Sequence, residues 1–526
     1  MTASKADHTE GWAHWLEERA QLLQQHCSWK QGDSVVLAVS GGPDSMLMMH
    51  MFAALRQHVD VAPRQVIVAH VHHGFRGEES DVEAELVRRE AQLIGLPCEI
   101  ARVDAPSYAT EQKMNAQAAA RELRYTYLRQ IAGKYGASYI ALAHHADDQA
   151  ETVLMRMLRG AGTGGLAGMS WRRADDTQSS SVSLEAAPLF HYIRPLLDMR
   201  KKDIVDICAQ EQIQYAEDSS NEKRTYLRNR LRLDIMPLLE QENPQAVHSI
   251  CRIADTLRAD HDWMEQEANA WYSSYVEKWD VETGVHISSV RNHVSRVEVY
   301  RTLYEAGCIV AREDFLKLHV ALQRRLIKLI LNYLYKVADP IDYDTIERVR
   351  LATLRDVPST WKTDIGQGME CRREYGQLLW LRPFPRMEQL NEEQTITLQR
   401  PNEAGCVVIP FHASTLHWRI TSRKSSSSTA VGTYDAAFDA DALEWPIRIR
   451  TRQSGDRMRI QGLNGSKKVQ DMFVDAKVPA SLREVYPIVT DRNGTVLWVP
   501  GIRRSDQALV QVHTDTMLYL SLETNI

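Results

Sequence analysis

Apolar positions in the first 160 residues follow two periods in turn. Short runs rich in Val, Ile, Leu and Ala recur at Ser34–Val39, Gln65–Val71 and Tyr139–Ala143, with a weaker one at Cys98–Val103. Runs this short, with no polar face, predict strands buried on both sides of a parallel sheet. Between them, apolar residues return every three or four positions over Asp44–Leu55, Glu79–Leu96, Asn115–Tyr135 and Ala146–Leu158. That is the helical period. Alternation of this length predicts a doubly wound α/β domain, with its ligand at the carboxyl ends of the strands.

The pattern changes downstream. Glycine-rich Arg159–Gly168, serine-rich Ala174–Ala187 and the serine tract Lys424–Thr429 read as loops. From Pro237 to Arg355 the helical period dominates, and after Leu390 β-branched alternation returns with Gly, Asn and Pro punctuation. The expected organisation is a parallel-sheet α/β domain over 1–235, a helical domain over 236–385 and a small α+β domain over 386–526. A length of 526 residues suits several domains.

Composition narrows the class. With 44% hydrophobic and 25% charged residues the chain reads as globular. No apolar run reaches the roughly 18 residues of a membrane span, and MTASKADHTEGW has no apolar signal core. A cytoplasmic protein is expected. Seven scattered cysteines, none in a CxxC pair, point to reduced thiols, not to a disulfide frame or a zinc site. The net charge of −6 argues mildly against a nucleic-acid partner, unless the basic residues cluster.

They do cluster. Arg200, Lys201 and Lys202 form one group. Lys223, Arg224, Arg228, Arg230 and Arg232, interleaved with Tyr226 and Asn229, form another; Arg324 and Arg325 lie in the helical stretch. Arg448, Arg450, Arg452, Arg457, Arg459, Lys467 and Lys468 form a last group. Solvated charge is the ordinary explanation of such runs, but arginines mixed with polar and aromatic residues favour RNA contact.

The sharpest chemical signal is Ser40-Gly41-Gly42-Pro43-Asp44-Ser45, between a buried strand and a helix. Glycines allow a tight turn that aims successive N–H groups at an anion, and the helix adds its positive end. Ser40 and Ser45 supply hydroxyls, and Asp44 is placed to help hold Mg²⁺. A capped strand-to-helix turn is the plain alternative. No lysine follows as in a Walker A loop, and GxGxxG is absent.

A second constellation, His144-His145-Ala146-Asp147-Asp148-Gln149-Ala150-Glu151-Thr152, also stands at a strand-to-helix junction. Asp148, Glu151 and Thr152 share a helix face. Capping accounts for one or two of the acids, but not for two histidines and three acids together. Carboxylates serving Mg²⁺ and an amine substrate fit better than zinc. His70-Val71-His72-His73-Gly74-Phe75-Arg76 closes the second strand at the same end of the sheet, and Gln117, Arg121 and Arg124 form a stripe on one helix.

SGGPDS resembles the PP-loop of ATP pyrophosphatases, which cleave ATP between its α- and β-phosphates. With HVHHGFR, AAARELRY, AHHADDQAETVLMRMLRGAGTGGLAGM, EDSSNEKRTYLRNRLRLDIMPLL, and the later RQSGDRMRIQGLNGSKKVQDMFVDAKVP and WVPGIR, the chain resembles the tRNA(Ile)-lysidine synthase family. The likeness is close over 35–235 and returns over 448–503; Val469, Gln470 and His72 depart from the family's pattern, and the stretch around Ser179 looks like an insertion. The resemblance implies ligation of free L-lysine to carbon 2 of the wobble cytidine in isoleucine tRNA with a CAU anticodon. ATP first adenylates oxygen 2, with Mg²⁺ assisting. It further implies pyrophosphate at Ser40–Ser45, metal at Asp44 and Asp148, catalysis by Asp44, His144 and Asp148, and lysine at Asp147, Glu151 and Arg121. For tRNA contact it points to Arg224, Arg228, Asn229, Arg230, Arg457, Lys467 and Lys468. No membrane partner is expected, and a homodimer is compatible with this set. The rivals are another PP-loop enzyme, such as a tRNA thiolase, and a nonenzymatic tRNA-binding scaffold.

Overall fold

A computed structural model describes the chain apart from residues 1–2, 73–77, 176–189, 217–223, 225–226, 288–299, 302, 336–340, 385–394, 413, 423–431, 461–464 and 525–526. Its residues form two compact units, Met1–Trp263 and Met264–Ile526. The boundaries at 235 and 385 are proposed as subdivisions inside these units. Among the described residues no helix is long and apolar enough to cross a membrane.

The first unit is built on a six-stranded sheet in the order β3-β2-β1-β4-β6-β5. The strands are β1 (Ser34–Ala38), β2 (Gln65–His72), β3 (Cys98–Arg102), β4 (Tyr139–Leu142), β5 (Arg172–Ala174) and β6 (His191–Ile193). All neighbours pair in parallel except β5 with β6. Side chains of a strand alternate between faces, so each of the central strands feeds two cores. Val35, Leu37, Val66 and Val68 pack with Met46, Met49, Phe52 and Val87 on one side. Val36, Ile67, Ile140 and Leu142 pack with Tyr125, Leu128 and Ile131 on the other. The helices are α1 (Ala3–Cys27), α2 (Pro43–Leu55), α3 (Glu78–Leu93), α4 (Ala105–Glu111), α5 (Ala116–Tyr135), α6 (Ala146–Leu158), α7 (Thr163–Leu166) and α8 (Lys201–Gln210). From β1 the chain runs to β2 and β3 on one side, and β4 returns to pair with β1 on the other. That reversal opens a crevice above the carboxyl ends of β1 and β4, where both chemical motifs begin. The four expected strands and four expected helices are found; α1, α4, α8, β5 and β6 come in addition, as does the single turn α7 inside the glycine-rich stretch read as a loop.

The second unit departs from expectation. Its first half carries helices at Arg312–Lys317, Val320–Leu334 and Tyr343–Leu354, and also a six-stranded sheet. The strands are β7 (Glu277–Asp280), β8 (Val285–Ile287), β9 (Tyr304–Ala311), β10 (Thr360–Gly366), β11 (Met369–Glu374) and β12 (Gln377–Pro383), in the order β10-β11-β12-β9-β7-β8. The expected helical content of 236–385 is present, including the long helix Ala246–Tyr275, and it is joined by an antiparallel sheet that was not expected. Cys308, Val310, Leu378 and Trp380 face Leu326, Ile330 and Leu334 of a helix. On the opposite face Trp279, Ile309, Leu379 and Leu381 meet Met472, Phe473 and Val485. The rest of the unit is β-rich: a five-stranded sheet and a four-stranded sheet close a third core around Leu416, Phe438, Ile449, Val489 and Leu520.

Gly307 shows why that sheet accepts one particular residue. Trp279 lies opposite it in the ladder, and a Cβ at position 307 would stand 2.2 Å from the indole Cη2. Trp279 is wholly buried and donates its ring N–H to the Tyr304 carbonyl at 3.1 Å, so it cannot swing aside freely. Overpacking of this kind costs about 1–3 kcal/mol. Gly307→Ala is expected to lower the urea midpoint of this unit accordingly; an unchanged midpoint would show that the indole does not lie over Gly307.

Candidate active site

Ser40–Ser45 leaves β1 and enters α2 with Pro43 at the helix start and Gly42 as its extended N-cap. No side chain caps this end, so the first-turn amides are not consumed by one. Gly41 has φ +98°, a conformation that favours glycine. The Ser45 hydroxyl holds the turn shut: it accepts from the amides of Ser40 (3.1 Å) and Gly41 (3.2 Å) and donates to the Gly42 carbonyl (3.0 Å). His70, buried at the end of β2, shares a 2.9 Å hydrogen bond with the Val39 carbonyl just before the loop. The loop is thus a preformed cradle at a helix N-terminus, suited to an anion.

His144 and His145 leave β4 beside it, and α6 follows. The Asp148 carboxylate accepts from the His145 amide at 3.1 Å, the capping role expected of a first-turn acid. Capping explains no more than that contact. Arg228 donates to Asp148 (2.7 Å) and to Glu151 (2.6 Å). Arg232 reaches the same two carboxylates at 3.3 and 2.6 Å. Glu151 is only 1% exposed. These arginines come from the short helix Leu227–Arg230 and the π-helical turn Leu231–Ile235 that follows it.

Asp44 is held by the Lys201 ammonium at 2.7 and 2.8 Å. Asp147 accepts from Arg200 (2.9 Å) and from the Lys201 amide (2.7 Å). The basic tripeptide at 200–202 therefore turns two of its cations inward. The His145 ring joins the carboxylates, with Nε2 at 3.9 Å from Asp44 and 3.4 Å from Asp148, and Nδ1 at 3.6 Å from Asp147. The two acids expected to hold Mg²⁺ thus flank one imidazole nitrogen. No group of three or more metal-type ligands occurs among the described residues. Two carboxylates beside a phosphate cradle still match a cation that takes one or two protein carboxylates and completes its shell with phosphate and water.

Behind His144 lies a cationic recess. Arg121 donates to the Tyr125 hydroxyl at 3.2 Å and stacks on that ring at 4.9 Å, with Arg124 at 5.9 Å. Arg173 lies 5.4 Å over Tyr192, whose ring meets Tyr125 edge-on. Arg194, 5% exposed, donates to the Ser170 carbonyl at 2.6 Å. The Nε atoms of Arg124 and Arg194 and Nδ1 of His144 are buried without a hydrogen-bond partner. Burial pulls the Arg194 pKa down to about 10. Several guanidiniums with unmet donors make a receptor for an anion. Sequence reading placed Arg121 and Arg124 on one stripe and missed Arg194, whose signal was a charge opening the apolar run RPLL.

The other expected contacts are placed less tellingly. Arg224 is exposed and pairs with Asp234 at 3.0 Å, and Arg230 donates to the Arg224 carbonyl at 3.4 Å. Asn229 sits on the same short helix. Arg457 donates to the hydroxyl and carbonyl of Ser466 at 2.8 and 2.7 Å, Lys467 pairs with Asp475, and Lys468 caps the helix Val469–Asp475. His73, Gly74, Phe75, Arg76, Lys223, Tyr226, the serine-rich stretches and the EDSSN run from 217 lie outside the described residues.

The four cysteines of this unit are no candidates for thiolate chemistry at neutral pH. Burial raises Cys27, Cys208 and Cys251 to about 12 and Cys98 to about 11.

The adjacent histidines titrate in opposite senses. Burial, only partly offset by Asp148, drives His144 down to about 3. Burial also opposes charge on His145, but the carboxylates of Asp147, Asp148 and Asp44 beside it outweigh it, so its pKa rises. His144 therefore costs stability as pH falls from about 6.5, where the unfolded chain takes up the proton, toward 3. His145 adds stability below about 6.5 and loses it as pH rises through its elevated value. In metal-free protein, NMR titration of the imidazole Cε1–H signals is expected to leave His144 neutral at pH 5 while His145 is already protonated at pH 6.5. Equal midpoints would refute this electrostatic picture.

Comparison with known proteins agrees with this geometry. A family model described as a PP-loop domain matches residues 14–239, one described as TilS substrate binding domain matches 311–379, and one described as TilS substrate C-terminal domain matches 447–520. The tRNA(Ile)-lysidine synthase of Bacillus cereus is 32% identical over 507 residues, covering 94% of each chain. That of Bacillus subtilis (strain 168) is 31% identical over 501 residues, covering 92% of this chain and 93% of its own. Phosphate cradle, paired carboxylates and end-to-end similarity converge on one assignment: the chain belongs to the tRNA(Ile)-lysidine synthase family.

Proposed function

We propose that this chain ligates free lysine to carbon 2 of the wobble cytidine in the CAU anticodon of isoleucine tRNA, working in the cytoplasm. The observation that carries the reading is the convergence of the Ser40–Ser45 cradle with the arginine-paired carboxylates of Asp148 and buried Glu151 at one crevice. Family membership supplies the substrate class.

In the first half-reaction the cytidine O2 attacks the α-phosphorus of ATP and pyrophosphate departs. The Gly42 amide and the first-turn amides of α2 stabilise the departing charge, with the Ser40 hydroxyl alongside, while Ser45 keeps the turn closed through the Ser40 and Gly41 amides. Asp44 and Asp148 would hold Mg²⁺, which neutralises phosphate charge when bound. In the second, the lysine ε-amine attacks carbon 2, AMP leaves with the oxygen, and the amine loses a proton. His144, kept neutral by burial, orients the activated base and accepts hydrogen bonds.

Glu151, held by Arg228 and Arg232, and Asp147, held by Arg200 and the Lys201 amide, are the candidate partners of the lysine ammonium. The arginines now on Glu151 mark that place as one that demands a cation. Lysine's α-carboxylate goes to the recess of Arg121, Arg124 and Arg194. Arg224, Asn229, Arg230, Arg457, Lys467 and Lys468 remain candidate tRNA contacts, while Arg228 acts on the carboxylates.

Labelled ATP incubated with enzyme, lysine and isoleucine tRNA is expected to yield AMP and pyrophosphate in equal amounts with lysidine. Asp44→Ala should slow turnover by about 10²–10³-fold with tRNA affinity retained. ADP as product, or modification without lysine, would contradict the proposal.

A further inference from the structure

A second polar recess lies in the β-rich part of the second unit. The strands Ile396–Leu398, Ile447–Arg450 and Ile488–Thr490, neighbours in one sheet, carry it. A cavity of about 400 Å³ is lined by Thr395, Arg448, Arg450, Gln453, Thr490 and Gly494. Ile447 and Ile449 point into the apolar core, so Arg448 and Arg450 share the opposite face.

Three observations mark this recess as a receptor. The Thr490 hydroxyl, paired across the ladder with Arg448, is fully buried and has no hydrogen-bond partner. A buried hydroxyl left unmet is destabilising, and a ligand atom would remove that cost. Arg450 is neutralised by Asp456, donating at 2.9 and 2.8 Å, and serves as a wall. Arg448 is exposed and has no ion-pair partner among the described residues, so the recess carries an unbalanced positive charge. Residues 447–520 hold twelve Lys and Arg against seven Asp and Glu, in a chain of net charge −6.

We propose that this recess binds a single backbone phosphate of the tRNA, with Arg448 contributing charge and Thr490 and Gln453 contributing hydrogen bonds. The inference rests on tRNA being the substrate and adds to it an anchor remote in sequence from the catalytic loop. A fixed phosphate contact sets the register of an RNA without reading a base.

The test uses the full-length protein and isoleucine tRNA, with binding measured over a series of KCl concentrations. Thr490→Val keeps shape and removes only the hydroxyl; it is expected to weaken tRNA binding about 3–10-fold with a melting temperature no lower than that of wild type, because the unmet group is gone. Arg448→Gln should weaken binding more and flatten the dependence of log K on log salt by about one unit. Both variants binding like wild type, in a wild type that binds and modifies tRNA, would overturn the phosphate site alone. A Thr490→Val protein that melts lower but binds tRNA normally would also overturn it, by showing the hydroxyl to be structural. Stabilisation of wild type, but not Arg448→Gln, by inorganic phosphate with tRNA affinity unaltered would assign the recess to free phosphate and overturn the proposal. A wild type that binds no tRNA would fail the functional reading itself.

Discussion

A carboxylate as deeply placed as Glu151 demands cations against it, because burying an unpaired ion costs several kcal/mol. This constraint organises the crevice. Asp148 and Glu151 draw in Arg228 and Arg232, Asp147 draws in Arg200, and Asp44 draws in Lys201. Segments more than fifty residues apart in sequence are thereby fastened around the ends of β1 and β4. The apolar core fixes where those strand ends lie, and the ionic contacts fix what surrounds them.

The same contacts describe the ligands in negative image. Where Lys201 meets Asp44, a metal-bound phosphate group would find its carboxylate. Where two guanidiniums meet Glu151, an alkylammonium would find a carboxylate in a place built for cations. The recess behind His144 is the converse, with guanidinium donors lacking hydrogen-bond acceptors. An amino acid carrying an ammonium at one end and a carboxylate at the other matches acid on one side and arginine on the other. His144 lies between them, kept uncharged by burial, so it adds no repulsion toward a cationic substrate.

Much of this was legible in the sequence where local pattern and tertiary role coincide. Buried parallel strands read as continuous apolar runs, and a glycine-rich turn between strand and helix has few uses, so the cradle and the acidic block were both found. The sheet between 277 and 383 was not, because the strongly amphipathic helix Val320–Leu334 sets the period of that region. Its hairpins did leave marks. Gly366 at the end of β10 and Gln367 and Gly368 in the turn to β11 all have positive φ, and Tyr375 does so between β11 and β12. What no local pattern could give is pairing at a distance: Arg200, Lys201, Arg228 and Arg232 read as RNA-facing charge and are ion-paired to the acids. A basic cluster and a buried counter-ion look alike until the acids are located.

The account stands on the crevice activating the cytidine before the amine arrives. Enzyme and isoleucine tRNA incubated with α-³²P-labelled ATP in the absence of lysine test this directly. The account predicts label joined covalently to the wobble cytidine, and its release as AMP when lysine is added. Label that never enters the tRNA, with lysidine nonetheless formed once lysine is supplied, would contradict it.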